Sequence, residues 1–104
     1  MPPKQSDFQK IKKIIRVLLA NPEGIWLRKL SRETKLPLST VHYYLEFKIQ
    51  NLVENVGARD EEGRFFGIRL IRLKHGVFNQ LSNGNFDTNL RKILKASEIL
   101  SNLD

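Results

Sequence analysis

The stretch that most constrains this chain runs from Trp26 to Glu54, WLRKLSRETKLPLSTVHYYLEFKIQNLVE. Leu27 and Leu30 recur at helical spacing with Arg28, Lys29 and Arg32 on the other sides, and Lys35-Leu36-Pro37 then breaks the pattern. The residue before a proline disfavours the α region, so the break is a turn. From Leu38 the period resumes: Leu38, Val41, Leu45, Ile49 and Leu52 share one narrow apolar stripe, opposite Ser39, Thr40, Tyr43, Glu46 and Gln50. Phe47 falls on the polar face and Lys48 near the stripe, so this second helix is expected to end or shift phase near Glu46. Two helices this short are not stable alone and need flanking segments to cover their stripes.

Those segments are present. Ser6 and Gln9 have the form of a capping box, and Phe8, Ile11, Ile14, Ile15, Leu18 and Leu19 follow at helical spacing, predicting a helix from about Asp7 to Ala20. Asn21-Pro22 stops it, and Lys10, Lys13 and Arg16 lie opposite its stripe. Burial of each stripe residue, at ~2 kcal/mol per side chain, makes this helix a main contributor to the core. Glu23-Gly24 is a turn, and Ile25-Trp26 suffices for a short strand closing the edge of a small sheet. Val53 to Arg59 and Arg64 to Lys74 are expected to be strands of a hairpin around Asp60-Glu61-Glu62-Gly63, with Leu70-Ile71 signalling a bulge or edge change. Gly76 to Asn85 reads as a loop from which Val77, Phe78 and Leu81 return to the core. Asn85 or Asp87 can cap a last helix to about Leu103, whose stripe of Phe86, Leu90, Ile93, Leu94 and Leu100 is widened by Ala96, Ile99 and Leu103.

The charge of +7 and pI near 10 suit a polyanionic partner. Residues 1–50 hold ten Lys and Arg against four acids, and residues 76–104 are balanced at three against three, so the excess lies on the first half. With no cysteine, disulfides and thiolate metal sites are excluded. The longest apolar run, Ile14 to Ala20, is interrupted by Arg16, and MPPKQSDFQKIKK lacks a signal-peptide core, so a soluble cytoplasmic protein with no membrane association is expected. No glycine-rich phosphate loop, metal-ligand cluster or activated nucleophile is recognisable, and His42 and His75 form no motif. The expectation is a protein that is not an enzyme and needs no cofactor.

Leu27 and Leu30, Leu36-Pro37, Ser39-Thr40-Val41, Leu45 and Leu52-Val53-Glu54 together resemble the winged helix-turn-helix transcriptional regulators of bacteria and archaea. With the hairpin, the resemblance covers about half of the chain. It implies an α+β fold with a three-helix core, a two- to three-stranded β wing and an added C-terminal helix. Residues 1–75 would be the DNA-binding domain and residues 76–104 a loop and dimerisation helix of the same domain. Family members often carry a glycine where Asn51 stands, and Asn51 can supply the left-handed conformation of a helix end.

The implied function is sequence-specific double-stranded DNA binding as a transcriptional regulator, nucleoid-associated, with the recognition helix in the major groove. Ser39, Thr40 and Tyr43 would contact bases or adjacent phosphates, and Glu46 would accept from a cytosine amino group. Tyr44 lies nearer the core margin and reads as packing. His42 is either a groove contact or a partly buried hydrogen-bonding residue. Arg28, Lys29 and Arg32 would neutralise phosphates. Arg59 and Arg64 either touch the backbone from the strand ends or pair with the acidic tip between them. Leu90, Ile93, Leu94, Ile99, Leu100 and Leu103 would form a homodimer contact, placing two recognition helices about one DNA turn apart. The alternative is a winged-helix protein–protein interaction module of a larger transcription or replication assembly, favoured by the acidic tip, by Phe47 and by a recognition helix without arginine. RNA binding is the third reading, weakened by the lack of an evident exposed aromatic pair.

Overall fold

The computed structural model describes residues 5–57, 61–62 and 70–102, with side chains placed for residues 7–57, 61–62 and 70–97. Helix α1, Gln5–Ala20, buries Phe8, Ile11, Ile14, Ile15 and Leu18. It already includes Ser6, so Ser6 stands within the helix rather than at the cap position the capping box assigns it. Asn21 closes the other end, its backbone N–H donating to Leu18 and its side chain to the Val17 carbonyl. The turn that follows needs Gly24, whose φ is +121° and whose missing Cβ would lie 2.7 Å from Leu70 Cγ.

Strands β1 (Ile25–Trp26), β2 (Val53–Val56) and β3 (Leu70–Leu73) form an antiparallel sheet in the order β1-β3-β2. Ile25 faces Ile71, and Val53 through Val56 face Leu73 back to Leu70 without interruption. The bulge expected at Leu70-Ile71 is therefore absent from the paired segment. The two residues take opposite faces, Ile71 in the core and Leu70 over Gly24. The described strands cover Val53–Val56 and Leu70–Leu73 of the expected hairpin, and its residues 58–60 and 63–69 lie outside the described residues.

Helix α2 is Leu27–Thr34, as the periodicity predicts. Lys35 ends it in the left-handed region, at φ 60° and ψ 27°. Its N–H donates to Arg32 O and that of Leu36 to Ser31 O, the paired bonds of a Schellman motif. Ser31 Oγ adds a bond to Leu36 O, and the buried Thr34 hydroxyl donates back to Leu30 O. This lysine, not Asn51, is the described non-glycine residue with positive φ, so the left-handed role expected of Asn51 is not taken.

Helix α3 is Leu38–Phe47, one residue longer than the expected end at Glu46. The N–H groups of Lys48 and Ile49 both donate to Tyr44 O, at 3.0 and 2.9 Å. That wide last turn shifts the phase, leaving Lys48 exposed while Ile49 and Leu52 reach the core beyond the helix. Leu38 departs from its predicted place in the stripe, being 41% exposed at the first helical position.

The segment after the sheet is not the expected loop. Helix α4 runs His75–Ser82, with Leu81 buried and Val77 and Phe78 packed against the core. Helix α5, Phe86–Asn102, starts under Asn85, whose Oδ1 accepts from Thr88 N at 2.9 Å. It lies antiparallel on α1: Arg91 sits 4.1 Å from the Phe8 ring, Lys12 Nζ 2.9 Å from Asp87, and Arg16 5.2 Å from the Phe86 ring. Leu90 and Leu94 join the same core as α1, α2, α3 and the sheet. No described helix is long and apolar enough to cross a membrane.

Candidate nucleic-acid interface

The inner face of α3 carries Val41, Tyr44 and Leu45, all buried. Tyr44 also anchors the helix: its phenol donates to Asp7 Oδ1 of α1 at 2.6 Å. Burial, with the Asp7 hydrogen bond and charge adding to it, pushes the Tyr44 phenol up from 10.0 to about 12. At 100° per residue this inner face leaves Ser39, His42, Tyr43, Glu46 and Phe47 outward, and all of them are exposed. Thr40 is half-buried at the margin. His42 is thus on the surface, with Nε2 3.9 Å from Glu46 Oε1 one turn on, and the partly buried alternative does not hold.

Tyr43 and Phe47 form an exposed aromatic pair, 47% and 67% accessible, with ring centroids 5.4 Å apart and planes tilted by 41°. Tyr44 meets Tyr43 edge to face at 5.6 Å, so the outer pair rests on a ring fixed in the core margin. This pair is the feature the sequence missed. Its signal in the sequence is the i, i+4 spacing of the two aromatics on a polar face, and it supplies the exposed aromatic pair whose lack weakens the RNA reading.

Helix α2, which packs against both α1 and α3, presents Arg28, Lys29 and Arg32 to solvent, with no ion pair to a described residue. Lys35 and Lys48, exposed just before and just after α3, extend the cationic surroundings beyond the expected set. The first turn of α3 has no side-chain cap, because Pro37 occupies the cap position. Its first-turn N–H groups therefore have no side-chain acceptor from the cap residue.

Glu61 and Glu62 lie in an exposed turn, whereas Arg59 and Arg64 fall outside the described residues. Arg72 of β3 pairs with its cross-strand partner Glu54 at 2.6 Å. Of the residues expected to meet a second copy, Leu90 and Leu94 are buried in the core of their own chain and Ile93 is half-buried. Ile99, Leu100 and Leu103 lie outside the described side chains. Ile93 and Ala96 line an open cleft of about 400 Å³ between α4 and α5, floored by Leu52 and Val77 and bordered by the Asn51–Ser97 hydrogen bond. Among the described residues no group of His, Asp and Glu is arranged to hold a metal ion.

Comparison of the chain with protein families, with curated proteins and with solved structures found no match. The functional reading rests on the geometry above.

Proposed function

We propose that this chain is a winged helix-turn-helix protein that binds double-stranded DNA as a transcriptional regulator, with α3 in the major groove. The observation that carries the reading is the outer face of α3: Ser39, His42, Tyr43, Glu46 and Phe47 are all exposed, beside a helix whose Arg28, Lys29 and Arg32 have no described ion-pair partner. A helix is the element a major groove admits, and its hydroxyls and carboxylate suit base edges. The cations of α2 suit phosphates, which position the protein without reading sequence. The order α1-β1-α2-α3-β2-β3 agrees with the arrangement that the resemblance implies. Pairing of two copies through the described part of α5 would draw on Ile93 and Ala96 rather than on Leu90 and Leu94, which are already covered.

Fluorescence anisotropy with duplex DNA, single-stranded DNA and RNA over a salt series tests this. Contact with about four to six phosphates gives a log–log salt slope of roughly −4 to −5 for duplex. Absence of duplex binding at low salt rejects the proposal. The second reading, a protein-binding winged helix, is favoured by the exposed Tyr43–Phe47 pair and by the acidic Glu61-Glu62 turn, which repels phosphate. It is the reading that gains if no nucleic acid binds.

A further inference from the structure

We infer that the Tyr43–Phe47 pair is a thymine-methyl reader, so that the DNA recognised by α3 is specified through the 5-methyl groups of A·T pairs rather than through guanine. The inference rests on the DNA-binding reading proposed above. Base readout in the major groove uses a short set of chemistries: arginine or lysine on guanine O6 and N7, asparagine or glutamine on adenine, a carboxylate on the cytosine amino group, and apolar contact with the thymine methyl. Helix α3, LSTVHYYLEF, contains no Arg, Lys, Asn or Gln, so neither bidentate pairing is available from it. What it does present on its outward face, beside Ser39, His42 and Glu46, is the aromatic carbon of Tyr43 and Phe47. The Tyr43 and Phe47 rings are adjacent, one helical turn apart, and 47% and 67% accessible.

The geometry favours a methyl over an unstacked base. The rings lie on a convex helix and are tilted against each other at 41°, forming a ledge of edges and partial faces rather than a flat platform. Tyr43 is also held from beneath by the edge-to-face contact with Tyr44, which is itself fixed to Asp7. A ledge held in this way meets a small apolar projection without rearranging. The thymine methyl is that projection in a major groove otherwise lined by polar edges. The nearby cations argue for a nucleic acid, rather than an apolar protein surface, as what covers the ledge: Lys48 follows Phe47 directly, and Arg28, Lys29, Arg32 and Lys35 precede the helix, all exposed.

The experiment compares the full-length protein on four duplexes of one length: an A·T-rich duplex, the same duplex with every thymine replaced by deoxyuridine, a G·C-rich duplex, and its counterpart with 5-methylcytosine. Loss of one buried methyl weakens binding about three- to five-fold, so contact with two thymines gives roughly ten- to twenty-fold between the first and second duplexes. The 5-methylcytosine duplex is expected to bind more tightly than its unmethylated counterpart. Phe47→Ala, at a surface position where folding is not at stake, should reduce the thymine-to-deoxyuridine ratio to the roughly three- to five-fold of one remaining methyl contact. Equal affinity of the wild type for the first two duplexes overturns the inference while leaving duplex binding intact. Preference for single strands over every duplex overturns it in favour of base stacking, and absence of nucleic-acid binding removes the DNA reading itself.

Discussion

Tyr43 and Tyr44 are neighbours in sequence that the helix sends to different fates. A 100° step puts Tyr44 among buried side chains and Tyr43 in solvent, and both placements follow from the period of the apolar stripe. What the period does not give is the partner of Tyr44, because Asp7 is distant in sequence and only the packing of α1 on α3 brings the two together. The bond has a pH signature. The folded state holds the phenol neutral up to about pH 12, whereas the unfolded chain releases the proton near 10.0. The folded state thus binds more protons in that window, and the contribution present below pH 10 is lost as pH rises toward 12, at up to ~1.4 kcal/mol per pH unit. Tyr44→Phe is expected to lower stability by about 1–2 kcal/mol near neutrality, leaving Asp7 without its donor. It should also flatten the fall between pH 10 and 12 relative to wild type, as read from urea melts across pH. The exposed pair above Tyr44 was harder to foresee: an aromatic on a polar face can equally be covered by another element, and only the finished fold leaves Phe47 uncovered.

At the scale of elements, turns decided how much was legible. Lys35-Leu36-Pro37 announces the end of α2 through proline, and the structure adds how it is closed, by a lysine in a conformation that usually takes glycine. Left-handed backbone costs an L-residue about 1–2 kcal/mol, partly offset in any glycine replacement by the greater freedom of the unfolded chain. Lys35→Gly should therefore raise stability by about 0.5–1 kcal/mol in urea unfolding, while Lys35→Ala gives no gain. Gly24→Ala should act in the opposite direction, by ~2 kcal/mol or more, because it adds left-handed strain to a clash with Leu70 under the sheet. Helix α4 reads as a loop in the sequence because Gly76 in its first turn and the Asn83-Gly84-Asn85 run at its end are loop formers. Only Val77, Phe78 and Leu81 carry its period, too few to outweigh those signals. The end of α3 was nearly legible from Phe47 and Lys48, which contradict a continuous wheel. The double acceptance at Tyr44 O is what reconciles them with the buried Ile49.

For the whole molecule, the open question in the sequence was what covers α5. An apolar arc reports that a helix face is buried, not whether its own chain or another copy buries it. The contacts decide this for the described part: Lys12 with Asp87, Arg16 with Phe86 and Arg91 with Phe8 lay α5 along α1, while Asn51 ties Ser97 to the turn after α3. Asn51 thus serves tertiary packing at a position where the resemblance would place a helix-ending glycine. Helix α5 is in consequence part of the fold's core rather than an appendage to it. Leu90, fully buried, should lose about 3 kcal/mol on replacement by Ala, a large share of the roughly 5–15 kcal/mol that stabilises a domain. A chain ending at Asn85 loses Leu90 and Leu94 together and uncovers Phe8, over which Arg91 packs, and the part of the core those leucines fill. Such a chain should show no cooperative thermal transition by circular dichroism, and should associate through the uncovered apolar surface in light scattering. A truncated chain that stays monomeric and melts cooperatively within ~1 kcal/mol of the full-length protein would place α5 outside the cooperative core.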